Sequence, residues 1–344
     1  MLNPRCAIRG AVAAAVLLSA SVSARADDAA VLKGRLHAAE KDSSLNDADV
    51  KPFYLKLLVQ LFDAKGKPGE QGTVEVYWKD AERQKRVYSF PSYSATEVHT
   101  GNKIFRTANS NPPPQMAALL VAQELHPMAR LDEIDASQPQ MQKVTLGKVP
   151  LECIMLSRSI GGKAPIPMGL FPTYCFDVGS SLLRLSSNFG GEVVLRNTMG
   201  AFQHRRVAME VVISEKQIEA AEGKIDKLEQ RDIADVDLAT DGLPPTVDPV
   251  RVSSGVIAGF ALHQAAPLYP PMAKARHIQG TVVLHARIGK DGHMEDLQVV
   301  SSPDADLTIA AIDAVRQWTY RPYLLAGDPV EVETTINVNF SFGN

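Results

Sequence analysis

Val330-Glu331-Val332-Glu333-Thr334-Thr335-Ile336-Asn337-Val338-Asn339-Phe340-Ser341-Phe342 alternates without a break. Val330, Val332, Thr334, Ile336, Val338 and Phe340 fall on one face and Glu331, Glu333, Thr335, Asn337 and Asn339 on the other, the period-two pattern of a strand with one buried face. Upstream, Leu307, Ala310, Ala311, Ala314, Val315 and Trp318 mark one side of a helix from about Asp306 to Trp318. Before it, Val282, Leu284, Ala286 and Ile288 share a strand face, and Asp291-Gly292 turns the chain into a second strand, Leu297 to Val300. Strand, strand, helix, strand predicts a small antiparallel sheet with one packed helix, an α+β unit over 258–344.

Working outward, Thr240-Asp241-Gly242-Leu243-Pro244-Pro245 breaks every period and reads as the start of a linker over 240–257. Residues 27–239 carry mostly short strands with turn residues at regular spacing, which predicts a second, antiparallel β domain with helices. Gly72 to Trp78 and Arg83 to Phe90 read as a meander, and Thr96 to His99 and Lys103 to Arg106 as a hairpin about Gly101-Asn102. Two helices are expected. One is Val50 to Phe62, where Phe53, Leu57, Leu58 and Leu61 fall at helical spacing, and the other is Gln115 to Leu125, after Pro112-Pro113-Pro114. Ile218 to Arg231 is ambiguous, its Glu, Ala and Lys content favouring helix over a weak apolar stripe.

Arg5 and Arg9 precede an apolar run from Ala11 to Ala20, and small residues stand at Ala24 and Ala26 before Asp27. This layout predicts a cleavable export signal over 1–26. The uncharged stretch is roughly 15 residues against the roughly 20 that span a bilayer, which disfavours the alternative, an inner-membrane anchor. The 344 residues carry 36 basic and 39 acidic side chains, a net charge of −3, so the chain lacks the basic excess of a nucleic-acid binder. Of the 3 cysteines, Cys6 lies in the signal. Cys153 and Cys175 stand in strand-like text and read as a disulfide in an exporting context, the alternative being two buried thiols.

The run Tyr269-Pro270-Pro271-Met272-Ala273, Gly280-Thr281-Val282, Asp291-Gly292, Ala310-Ala311, Trp318-Thr319-Tyr320-Arg321-Pro322 and Gly327-Asp328-Pro329-Val330 resembles the TonB C-terminal domain in order and spacing. Tyr269, Pro270, Gly280, Asp291, Gly292, Trp318 and Pro322 are read as fold-determining positions. The resemblance implies a periplasmic domain that binds the TonB box of an outer-membrane transporter, or a similar periplasmic partner, by adding the peptide as a strand. The implied edge is the terminal strand, through Val330, Val332, Thr334, Ile336, Val338 and Phe340. Motor-driven transducers of that family have an inner-membrane anchor and a long Pro-rich spacer, and this sequence departs from both features. Gly72 to Trp78, Arg83 to Arg86, Tyr88 to Pro91, Gly101-Asn102-Lys103 and Arg106 look like LolA-type periplasmic domains, curved antiparallel half-barrels whose helices cap a concavity. That resemblance implies an alternative function as a carrier of lipid or lipoprotein.

Little else carries chemistry. His277, His285 and His293 recur every eight residues but flank different elements, so no metal site and no cofactor is expected. Gly161-Gly162-Lys163 lacks the upstream glycine of a phosphate loop. Arg205-Arg206 reads as a solvated patch, and Ser301-Ser302-Pro303-Asp304 as a capped strand-to-helix connection. No nucleophile with base and orienter assembles from spacing, so no enzyme is expected.

Overall fold

The computed structural model describes residues 26–101, 103–107, 113–158, 166–187, 192–215, 217–246, 249–325 and 328–342. Residues 1–25 of the expected export signal, Asn102, Gly161-Gly162-Lys163 and Gly327 therefore lie outside the described residues. The chain divides into two compact units with the boundary between Thr246 and Val247, and the inserted segment Arg158–Leu170 groups with the second.

The first unit is an open antiparallel sheet of twelve strands among the described residues. Five strands, β1 (Phe53–Phe62), β2 (Pro68–Asp80), β3 (Arg83–Ser89), β4 (Ser94–Thr100) and β5 (Lys103–Arg106), form a meander on one side. Seven more, β6 (Gln138–Leu146), β7 (Val149–Ser157), β8 (Thr173–Asp177), β9 (Leu183–Ser187), β10 (Glu192–Phe202), β11 (Arg205–Glu215) and β12 (Ile218–Gln230), run back to the centre, where β12 pairs with β1. Three helices cover the sheet: α1 (Ala26–Ser43), α2 (Gln115–Leu125) and α3 (Leu131–Ala136). Helix α2 forms where the sequence places it. Helices α1 and α3 were not anticipated there; Leu32, Leu36 and Ala39 of α1 and Ile134 of α3 pack with Ile154, Tyr174 and Phe176.

Val50 to Phe62 is not a helix. Phe53, Leu55, Leu57 and Val59 are buried in β1 while Leu58 is 44% exposed, so the alternation, and not the 53-57-58-61 spacing, is what the core uses. Apolar runs of this length fit both periods, and here partners on both sides, β2 and β12, decide for strand. Ile218 to Gln230 is likewise a strand despite its helix-forming composition. Its small residues Ala221 and Gly223 face α2, and a Cβ on Gly223 would stand 3.0 Å from a Leu120 methyl. Tertiary packing overrides local propensity at both places. Arg205 departs from the solvated reading too: it is buried, its Nε donates to the Ser44 carbonyl at 3.0 Å, and it is paired with Asp47 and Asp49.

Cys153 and Cys175 sit opposite each other on β7 and β8 and are disulfide-bonded, both sulfurs in the interior. The bond closes a loop with a sequence separation of 22 residues. Loop-closure entropy of that size is worth about 3 kcal/mol. Cys153→Ala with Cys175→Ala is expected to lower the urea stability of the first unit by about that amount; an unchanged midpoint would show that the bond does not constrain the unfolded chain.

The second unit holds a four-stranded sheet in the order β13-β20-β15-β16, from β13 (Val250–Arg251), β15 (Gly280–Ile288), β16 (Met294–Ser301) and β20 (Val332–Phe340). Short elements frame it: α4 (Ser254–Ala258), β14 (Ala261–His263), α5 (Pro271–Ala275), β17 (Thr319–Tyr320), β18 (Tyr323–Leu325) and β19 (Asp328–Val330). Helix α6 (Ala305–Val315) buries Leu307, Ala311, Ile312 and Val315, and Asp304 caps it by accepting from the Asp306 amide at 2.9 Å. The architecture is α+β in both units, as the periodicities imply.

Candidate functional site

The terminal strand β20 alternates as read: Val332, Thr334, Ile336, Val338 and Phe340 are buried, while Thr335, Asn337 and Asn339 are exposed. Val330 is also buried but belongs to β19, paired with Tyr323. The register with β15 is continuous from Gly280 opposite Phe340 to Ile288 opposite Val332. On the other side, Val250 N–H donates to Glu331 O at 2.8 Å and Val252 N–H to Glu333 O at 2.9 Å. Main-chain direction alternates along a strand, so Val332, Thr334, Ile336, Val338 and Phe340 spend their main-chain groups on β15. Thr335, Asn337 and Asn339 aim theirs at the side where, among the described residues, only β13 pairs, and β13 reaches no farther than Glu333. The five buried residues therefore supply the floor of the edge, and the three exposed ones supply its free rungs.

Several of the positions read as fold-determining lie at the two ends of this strand. Tyr269 donates its hydroxyl to Ile278 O at 2.5 Å and packs its ring 5.5 Å from Phe340 and 5.3 Å from Phe342, pinning the Phe340 end. Pro270 caps α5, and Gly280 opens β15 at φ +144°. At the hairpin, Asp291 accepts from the His293 amide at 3.0 Å, and Gly292, at φ +83°, accepts from the Tyr320 amide at 2.9 Å. Trp318 donates from Nε1 to Ala265 O at 2.9 Å and packs on the cluster of Val252, Ile257, Ile288, Tyr320 and Val332. It thereby ties down the approach to α5 rather than α6, which ends at Val315. Pro322 stands between β17 and β18, seven residues past that helix end.

Charge is uneven along the edge. Glu331 and Glu333 lie at the Val332 end, with Arg251 Nε 3.5 Å from Glu333. Burial, reinforced by Glu331, Asp291 and Asp296, holds the nearby Glu295 carboxyl above the ordinary range despite Arg287. Thr335, Asn337 and Asn339 carry no charge.

Within the stretch 240–257 that reads as linker, residues 250–257 pack against β20 as β13 and most of α4. The signal was present as the alternation Val250-Arg251-Val252 followed by Ser253, Val256 and Ile257, but it is too short to outweigh the prolines before it. Residues 244–246 also pair, Pro245 bridging Phe105 of β5.

In the first unit the face of the sheet under α2 is filled. Ala117, Leu120, Val121 and Leu125 of that helix are fully buried against Phe53, Val74, Val76 and Val211. A cavity of about 10 Å³, lined in part by Gln123, Glu124, Leu183, Arg196 and Met199, has room for about one water. Arg196 donates to Ser186 at 3.1 Å and to Gln123 Oε1 at 2.5 Å, while its Nε and Glu124 Oε1 have no hydrogen-bond partner among the described residues. Burial, opposed by Arg196, pushes the Glu124 carboxyl up to about 8, and burial, opposed by Glu124, lowers Arg196 to about 10.

Among the described residues no three His, Cys, Asp or Glu are grouped to hold a metal ion. His277 packs beside Phe342, and His293 Nδ1 lies 3.3 Å from Asp291. No helix of the described residues is long and apolar enough to cross a membrane.

Compared with known proteins, residues 265–342 match the family described as Gram-negative bacterial TonB protein C-terminal. Protein TonB of Vibrio cholerae is 33% identical over 78 residues, 22% of this chain and 32% of the relative. Protein tonB2 of Pseudomonas aeruginosa is 38% identical over 66 residues, 19% of this chain and 24% of the relative. The chain thus spans about a third or less of the length of these curated relatives. Among solved structures, the Pseudomonas aeruginosa TonB C-terminal domain is 30% identical, covering 24% of this chain and 86% of that one at a TM-score of 0.23. A LolA superfamily protein from Nitrosomonas europaea is 10% identical, covering 60% of this chain and 98% of that one at a TM-score of 0.41.

Proposed function

The C-terminal domain, residues 265–342, belongs to the TonB C-terminal family, and from that premise we propose that the chain acts in the periplasm of a Gram-negative cell as a partner of outer-membrane transport. It binds an extended, TonB-box-type peptide of a transporter by strand addition to β20. The observation that carries this reading is the row of Thr335, Asn337 and Asn339, exposed on a strand whose other edge is paired in continuous register and whose inner face is packed. An ordered edge with free main-chain groups binds a strand without first paying to order itself.

Asn337→Pro tests it. The N–H that proline removes faces away from β15, so the sheet keeps its own bonds, as edge prolines do. Binding of synthetic peptides copied from the periplasmic ends of outer-membrane transporters is expected to fall by about tenfold or more, with the melting temperature of the chain nearly unchanged. Equal binding by the wild type and the variant would sink strand addition at this edge.

A lipid-carrier role finds less support. Small-molecule sites run to about 300–1,000 Å³. An acyl chain entering the face under α2 would have to displace that helix, exposing four side chains that are now fully buried.

A further inference from the structure

Resting on the strand-addition reading, we infer that the chain's own segment Val250–Val252 is a register stop, which confines a docked peptide to the rungs of Thr335, Asn337 and Asn339. The segment already sits on the docking edge as a short parallel strand, Val250 opposite Val332 and Arg251 opposite Glu333. Its two amides bond to Glu331 and Glu333, which removes the first two outward carbonyls from the edge.

It is also held by more than main-chain bonds. Val252 is 8% exposed and Ile257 3%, and both belong to the core cluster of Ile288, Tyr320 and Val332. A competing peptide would regain the two rungs but would expose these branched side chains, so exchange is uphill and the segment stays. Arg251, beside Glu333, adds an exposed cation at the same boundary. At the opposite end the Tyr269 ring packs on Phe340 and Phe342. Between the two limits, Thr335 to Asn339 spans about 13 Å of strand, so about five residues of a partner make main-chain contact. Residues of a longer peptide beyond that length add nothing to the ladder.

Residue-resolved amide exchange of the full chain, free and with the tightest peptide from the panel above, tests the stop. In the free chain, Val250, Val252 and Glu333 are expected to exchange about 100-fold or more slowly than Thr335, Asn337 and Asn339. Fast exchange at Val250 and Val252 overturns the inference whether or not any peptide binds. With peptide, Thr335, Asn337 and Asn339 gain protection while Val250 and Val252 keep theirs. Loss of protection at Val250 and Val252 on binding would mean that the peptide displaces the segment, which overturns the stop and leaves strand addition standing. If no peptide binds, the functional reading fails, and the slow and fast sets in the free chain still decide the stop. Val252→Pro supplies the second arm: freeing the Glu333 carbonyl, the rung next to Thr335, is expected to add a protected amide to a bound nine-residue peptide, and an unchanged peptide footprint counts against the segment as its limit.

Discussion

Gly292→Ala is expected to unfold the second unit while leaving the first intact. A Cβ built on Gly292 would stand 1.9 Å from the Tyr320 carbonyl oxygen and 2.8 Å from its carbon, both main-chain atoms. The two residues cannot move apart freely, because the Tyr320 amide donates to the Gly292 carbonyl at 2.9 Å and the Tyr320 ring is in the core. The residue also sits at φ +83°, where a side chain alone costs about 1 kcal/mol. Together the collision and the strain put the loss above about 4 kcal/mol, comparable with the whole stability of a small domain. Calorimetry should show a transition from each unit in the wild type and the disappearance of one in the variant. Two unchanged transitions would refute the close approach of the hairpin to β17.

The second large effect is a pH dependence in the first unit. The buried Glu124 carboxyl binds its proton more tightly folded, at about 8, than unfolded, near 4.5. Its contribution is therefore complete below about 4.5 and is lost as the pH rises through about 8, in total roughly 5 kcal/mol. Glutamine keeps the shape and the neutrality of the protonated acid. Glu124→Gln is accordingly expected to match the wild type at pH 5 and to exceed it by several kcal/mol in urea stability at pH 8. His99 and His126, whose imidazoles burial holds below their usual range, impose an opposite slope, since stability that a depressed base forfeits at low pH returns as the pH rises. The paired measurement cancels them, because they are common to both proteins. Parallel pH profiles would mean that water reaches Glu124 and that its burial is not maintained in solution.

The two predictions differ in how much of their basis was legible. Asp291-Gly292 announces a turn from sequence alone, but its larger constraint comes from Tyr320, 28 residues away, and no local pattern encodes that contact. Glu124 stands in a helix that the sequence predicts, yet nothing in Gln115 to Leu125 marks one glutamate as the residue that will be buried beside an arginine on β10.

The candidate edge shows the same division. Alternation over Val330 to Phe342 fixed which side chains would be buried, because the pleat gives a strand only two faces. It could not say which main-chain groups would be free, since that depends on which strand lies on which side. The pairing with β13 answers it, placing the open rungs at Thr335, Asn337 and Asn339 and not at the buried alternates. Conversely, the tidy helical spacing of Phe53, Leu57, Leu58 and Leu61 misled, because β2 and β12 offer β1 hydrogen-bond partners on both edges.

By itself the sequence determined the strand, hairpin and helix order of the C-terminal unit and the strand-rich character of the N-terminal unit, and it narrowed the two cysteines to a disulfide or two buried thiols. These follow from side-chain period, turn chemistry and composition, all of them local. Only the tertiary structure decided that 53–62 and 218–230 are strands, that α2 fills the sheet, and that the supposed linker occupies part of the candidate edge. Each of those outcomes is set by which distant residues come into contact, through packing and main-chain pairing that no short stretch of sequence contains.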